Sequence, residues 1–230
     1  MIDPLRHLSE FTPLAFGRKR VDVIGCGATG SRIASELARY GVENLHVWDF
    51  DTIEGHNLAN QMYDETHVGR PKVEALSDVV FRATGTRITP HCERVDGTQD
   101  LGEVVFLLPD TMEARKSIWE GAIRLKFRTR FMVETRMGVD TGRVYALNPN
   151  DPSKVRGWEK TLTDDRETAV SACGGSISIG ATADLIAGFA MWQFTRWFQI
   201  VEMGKDDSLE DELVFSVRPL KVLTRNFELV

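Results

Sequence analysis

A strand that runs directly into a glycine-rich turn and then into a helix leaves a chain few folds to choose from, and residues 21–40 are written that way. Val21-Asp22-Val23-Ile24 is a compact run in the β-branched residues that favour extended backbone. Gly25-Cys26-Gly27-Ala28-Thr29-Gly30 follows it. Glycines at this spacing allow a tight turn and a close approach of backbone to a ligand. Residues 31–40 then set Ile33, Leu37 and Tyr40 on one helical face, and Gly41 stands where a helix stops. Residues 44–48 read as a second strand ending at Asp49. Strand, glycine turn, helix and strand within about thirty residues make one βαβ unit. The N-terminus of its helix offers N–H groups and partial positive charge to an anion. Asp49 comes 19 residues after Gly30 (49 − 30), where a carboxylate meets ribose hydroxyls in such units. This unit alone leaves ATP and a nicotinamide dinucleotide both open.

The rest of the chain continues the alternation. Residues 1–19 read as a short helical or irregular lead. Residues 50–71 are a long polar connection, a length that is usually functional or disordered inside a domain. A helix is expected over 71–84 with Pro71 at its first position, a strand over 87–95, a buried strand over 103–108 ending at Pro109-Asp110, and a helix over 113–126. Residues 130–136 and 142–147 read as strands, joined as a hairpin across Asp140-Thr141-Gly142. Residues 148–172 are polar and charge-rich, and 148–176 is expected to be a crossover loop. An apolar helix then covers 177–201, and short strands at 213–217 and 221–225 close the chain. The expected fold is α/β: a Rossmann-like, mostly parallel sheet flanked by helices, with antiparallel strands toward the C-terminal half. At 230 residues one domain is expected over 1–230.

Charge and composition narrow the function. The net charge is −6, which argues against non-specific nucleic-acid binding. The apolar stretch at 177–201 carries Asp184, Gln193 and Arg196, so a buried helix explains it better than a membrane span. Cys26, Cys92 and Cys173 form no C-x-x-C pair, which argues against a cysteine zinc site and suits a reducing cytoplasm. The N-terminus does not read as a signal peptide.

Residues 47–72 add a second pattern. Asp49, Asp51, Asn57-Leu58, Gln61, Gly69 and Lys72 stand in the order D-x-D, N-L-x-x-Q and G-x-x-K, Asp110 follows an apolar strand, and Arg115 comes five residues later. This ordered set resembles the ThiF/MoeB family, the adenylating domain shared with ubiquitin-activating enzymes. The resemblance implies ATP-dependent adenylation of the C-terminal carboxylate of a small ubiquitin-like or sulfur-carrier protein, or of a peptide, with release of pyrophosphate. It implies ATP and Mg²⁺ as cofactors. Nucleotide contacts fall on Gly25, Gly27, Ala28, Gly30, Asp49, Asp51, Asn57, Asn60, Gln61 and Lys72. Asp110 is the Mg²⁺ ligand, Lys72 and Asp110 act in catalysis, and Cys173 is a candidate thiol acceptor of the acyl group. A homodimer is expected, with neither nucleic acid nor membrane as a partner.

The sequence departs from that family in two places. Its zinc-binding C-x-x-C pairs are absent, and Asn60 replaces an arginine that faces phosphate. A carboxamide donates a hydrogen bond but neutralises no charge. Arg70, or Arg6 or Arg18 reaching in from a partner subunit, is a candidate replacement. Two other functions stay open at this level: an NAD-dependent oxidoreductase, and a non-catalytic partner subunit on the same fold.

Overall fold

The computed structural model describes residues 3, 5–162 and 179–227. Eight strands form one sheet in the order β3-β2-β1-β4-β5-β6-β7-β8. The strands are β1 (Val21–Ile24), β2 (Leu45–Trp48), β3 (Thr89–His91), β4 (Val104–Leu107), β5 (Phe131–Met137), β6 (Thr141–Leu147), β7 (Glu212–Val217) and β8 (Leu220–Arg225). β3, β2, β1, β4 and β5 run parallel, and β5 through β8 pair antiparallel. This is the architecture expected from the sequence. The strand order reverses between β1 and β4, so the crevice beyond their C-terminal ends is the ligand-binding position of such a sheet.

Helices cover both faces, which is why β1 and β4 are apolar at nearly every position. One core layer joins Val21 and Val23 of β1, Phe106 of β4 and Phe131 of β5 to α1 (Pro13–Phe16), α2 (Ala28–Arg39), α3 (Lys72–Thr84) and α6 (Gly180–Met203). The other joins Ile24, Val105, Leu107 and Met132 to α4 (Met112–Ile118) and α5 (Pro152–Glu159). The one charge in β1, Asp22, is fully buried but satisfied: Arg20, the Trp48 indole N–H and the Gly102 N–H all donate to it. α6 packs along α2, β5 and β6, so one face of it lies inside the domain while Leu185, Trp192 and Val201 stay exposed. No helix among the described residues is long and apolar enough to cross a membrane.

Several expectations are corrected. The glycine-turn helix begins at Ala28, three residues earlier than the apolar periodicity suggests (31 − 28), because periodicity is blind to the small residues that open it. Pro71 is the N-cap of α3, which starts at Lys72. The strand expected at 87–95 shortens to β3. The helix expected over 113–126 runs from Met112 to Ile118 and continues as a π-helical turn, Trp119–Ile123. There Gly121 meets Gly97 so closely that an added Cβ would lie 2.6 Å from the Gly97 Cα. The turn of the β5–β6 hairpin falls at 138–140, earlier than Asp140-Thr141-Gly142. The largest correction is α5, which occupies part of the supposed crossover loop. Asp151 caps it, accepting from the Ser153 and Lys154 N–H groups, and Pro152 opens it. Asp and Pro at these positions are a helix start signal, and Trp158 anchors the helix by packing at 60° against Trp119.

Candidate functional site

The site is built at the C-terminal ends of β1, β2 and β4. In-register pairing sets Ile24 beside both Trp48 and Leu107, so the three residues that follow, Gly25, Asp49 and Leu108, leave the sheet at one level. Gly25 has φ +95° and its N–H donates to the Trp48 carbonyl at 2.8 Å. A Cβ on Gly25 would lie 2.5 Å from the Leu108 carbonyl oxygen, and one on Gly30 would lie 1.8 Å from the Gly25 carbonyl oxygen. Both glycines are therefore required by backbone packing. Gly27 differs, since a Cβ there would meet nothing within 4 Å. It lies on the open side of the loop, where a ligand can approach. Ala28 begins α2, and no side chain caps that helix. Its first N–H groups and the positive end of its dipole suit an anion.

Gly30→Ala is expected to force backbone movement at α2 and to destabilise the domain by about 3 kcal/mol, the upper range for overpacking. Thermal denaturation checks this, and an unchanged midpoint would show that the loop relaxes freely.

Asp49 anchors the loop. It is nearly buried, one carboxylate oxygen accepts from the Cys26 N–H at 2.7 Å and the other from the Asp51 N–H at 2.9 Å. Burial pushes its carboxyl above the usual value, against the pull of Lys72 and of those two N–H groups. Cys26 is fully buried and its thiol is pushed up by burial, so it is a packing residue. Tyr63, which the sequence gave no reason to single out, donates its hydroxyl to the Cys26 carbonyl at 2.7 Å. It has no recognisable spacing from the glycines, and only folding of the 50–71 connection brings it there.

That connection is ordered. Thr52 and Pro71 form a bridge, the Ile53 N–H donates to Arg70, and the Lys72 N–H donates to Asp51. The loop thus returns to its own start and delivers Lys72 to the site. Lys72 is almost buried at the head of α3, with its Nζ 2.7 Å from an Asp51 carboxylate oxygen. The loop's middle rests on α2, where the Met62 N–H donates to the Ser31 hydroxyl. Asn57 is buried and its side-chain oxygen accepts from the Glu54 N–H, so the carboxamide also holds the loop's shape. The Gln61 Oε1 is buried and accepts no hydrogen bond among the described residues, an arrangement that fits a donor on a ligand. The Asn60 carbonyl accepts from Arg32.

Asp110 is exposed beyond the end of β4. It does not cap α4. Thr111 does, by accepting from the Ala114 N–H. Arg115 is buried and braces the turn: it donates to the carbonyls of Pro109 and Thr135 and pairs with buried Glu134 at 2.7 Å. An exposed carboxylate at a strand end suits a hard divalent cation, which takes one or two carboxylates and completes its shell with phosphate and water. No group of three or more His, Cys, Asp or Glu that could hold a metal forms among the described residues. Arg70 pairs with Asp78 of α3 at 2.7 Å, both side chains being partly exposed. Arg18 lies exposed at the other end of the sheet, where its carbonyl accepts from Asn44 just before β2. Cys173 lies outside the described residues.

The structure sets the glycine loop, Asp49, Asp51 and Lys72 together at the C-terminal ends of β1 and β2, with the turn that carries Asn57, Asn60 and Gln61 resting on α2 beside them and Asp110 at the same edge of the sheet. Known proteins are similar to this chain in sequence and in fold. The chain is 37% identical over 105 residues to the NEDD8-activating enzyme E1 catalytic subunit of Arabidopsis thaliana, covering 43% of this chain and 23% of that one. It is 41% identical over 73 residues to the molybdopterin-synthase adenylyltransferase of Escherichia coli K12, covering 31% of this chain and 27% of that one. The chain thus spans about a quarter of the length of these curated relatives. Among solved structures, E. coli MccB with ATP superposes with a TM-score of 0.68 over 93% of this chain and 65% of that one, at 13% identity. E. coli MccB with MccA gives a TM-score of 0.72 over 98% and 70%, at 14% identity. These low identities carry the fold. The model of the ThiF family matches residues 13–218, which include the glycine loop, the returning connection, Asp110 and the strands β1 to β7. A match over residues 13–218, which takes in seven of the eight strands, the glycine loop and the returning connection, places this chain in the ThiF family.

Proposed function

We propose that this chain adenylates the C-terminal carboxylate of a ubiquitin-like or sulfur-carrier protein, or of a peptide. The carboxylate oxygen forms a bond to the α-phosphorus of ATP, the bond from that phosphorus to the bridging oxygen breaks, and pyrophosphate leaves. The observation that carries this reading is the return of the 50–71 connection, which sets Lys72 and Gln61 against the crevice of the glycine loop. An oxidoreductase would have no use for it.

The residues divide the work by their chemistry. The backbone of Gly27, Ala28 and Gly30 cradles phosphate at the head of α2, and Gly25, whose own N–H is taken by the Trp48 carbonyl, shapes the turn. Asp49 uses each oxygen once inside the protein, so each keeps a lone pair for a ribose hydroxyl. Asn57 and Gln61 contribute polar contacts without charge. Lys72 supplies a compact positive charge to the phosphates as negative charge builds, with Asp51 orienting its ammonium. Mg²⁺ held by Asp110 would supply charge neutralisation on phosphate oxygens. Transfer of the acyl group to the Cys173 thiol, with release of AMP, is the later step this reading allows.

ATP–pyrophosphate exchange tests it. Exchange is expected only with Mg²⁺ and an acyl substrate, and Asp110→Ala is expected to lower it by roughly 10²-fold or more, as for loss of one charge-stabilising group. Preferential binding of NAD(H) would replace this function with the oxidoreductase reading. Tight ATP binding without exchange against any small protein or peptide would assign the chain to a non-catalytic partner role. The crystal structures of E. coli MccB with ATP and with MccA support including MccA among the first substrates assayed. Free Cys26 and Cys92 support a cytoplasmic protein, and the same reading expects a homodimer, measurable by light scattering.

A further inference from the structure

A polyphosphate at the Gly25 loop needs cations, and most of those nearby are committed elsewhere. Beyond Lys72, already assigned to the phosphates, Arg115 is paired with buried Glu134 and Arg70 with Asp78. Arg32 is placed differently. It stands one turn into α2, and its guanidinium folds back toward the helix start, where Nη1 donates to the Ala28 carbonyl at 2.8 Å and to the Asn60 carbonyl at 2.6 Å. Its Nε pairs with Asp184 of α6. Nη2 makes no hydrogen bond among the described residues, and it lies 3.5 Å from where a Cβ on Gly180, the first residue of α6, would sit.

Two helices therefore begin beside this guanidinium. Neither α2 nor α6 has a side-chain cap or an acidic residue in its first turn. Both present their positive ends. The Arg32 side chain is 13% exposed, whereas Asp184 is 65% exposed, so water screens the carboxylate that pairs with it among the described residues. Arg32 thus belongs to a concentrated positive field at the phosphate end of the crevice, suited to a multiply charged anion, with a planar donor edge still to be used.

Resting on the ATP reading above, we infer that Arg32 binds the β- and γ-phosphates of the nucleotide and sets its preference for triphosphate over monophosphate. Its hold on the Asn60 carbonyl ties the returning loop to the same group. Asn60 itself brings no charge, so the positive charge is drawn from α2.

The test is calorimetric titration of ATP and of AMP into the unmodified chain, Arg32→Gln and Asp184→Asn. Glutamine keeps a donor for the two carbonyls and removes the charge. Arg32→Gln is expected to weaken ATP by roughly 10–100-fold, the range for charged hydrogen bonds, and to leave AMP within about twofold. Asp184→Asn keeps Arg32 and removes an opposing charge, so ATP is expected to bind about two- to threefold tighter with AMP unchanged. Unchanged ATP affinity in both variants, or an equal loss of ATP and AMP in Arg32→Gln, overturns the inference and leaves Arg32 a structural clamp. An unmodified chain that binds neither nucleotide overturns the ATP reading instead.

Discussion

Replacing Lys72 with alanine is expected to lower ATP–pyrophosphate exchange by roughly 10²–10³-fold, the usual cost of removing one preorganised group that stabilises developing charge. The expectation rests on how firmly this ammonium is placed. Lys72 is the first residue of α3 and is almost buried, its backbone N–H donates to the Asp51 carbonyl, and its Nζ lies 2.7 Å from the Asp51 carboxylate. A side chain held at both ends loses little conformational entropy when phosphate arrives. Its removal also leaves Asp51 and the nearly buried Asp49 without their nearby cation, so the electrostatic loss exceeds that of one contact. Lys72→Arg is expected to restore only part of the exchange, because a planar fork does not reproduce a compact ammonium. Near-normal exchange in Lys72→Ala, with circular dichroism unchanged, would remove Lys72 from the site.

Glu134→Ala is expected to have the largest effect on stability. Glu134 is fully buried in β5, where it pairs with Arg115 at 2.7 Å and Arg136 at 3.0 Å and accepts from the Trp158 indole at 3.1 Å. Arg136 in turn donates to the carbonyl and the hydroxyl of Thr161. Alanine would strand a buried guanidinium, and breaking one partner of a buried pair costs about 3–5 kcal/mol. For a chain of this size that lowers the melting midpoint by on the order of 10 °C. Because Arg115 also holds the Pro109 carbonyl, the same change is expected to displace Asp110 and reduce exchange even in the folded fraction. A midpoint within about 2 °C of the unmodified chain, well under the shift expected for a buried pair, would show that the network is not a stability centre.

Much of the molecule could be read without coordinates. The glycine loop, the two strands around it and the long apolar helix carry local signals: turn geometry, β-branched runs and absence of breakers. The order Asp49, Asn57, Gln61, Lys72, Asp110 marked the crevice because those residues lie just after strands or within the loop that returns to them. Other features left no such mark. α5 was hidden in a polar stretch, since about two turns with only Val155 and Trp158 as buried apolar residues have little periodicity. Arg115 stood in the expected spacing after Asp110, yet it is a buried brace. Tyr63 reaches the Cys26 carbonyl through a fold of the connecting loop.

The glycine loop shows where the division falls. By itself the sequence determined that a phosphate-sized turn follows β1, because Gly25 and Gly30 answer constraints set by backbone atoms a few residues away or on the next strand. It also determined the class of fold, because strand and helix periodicities are local. Only the tertiary structure decided which charges surround that turn. Arg32 meets Asp184 across 152 residues of chain, and Lys72 meets Asp51 only after the connection closes on itself. Coulombic partners are chosen by distance in space, which sequence spacing does not encode once the chain has turned back.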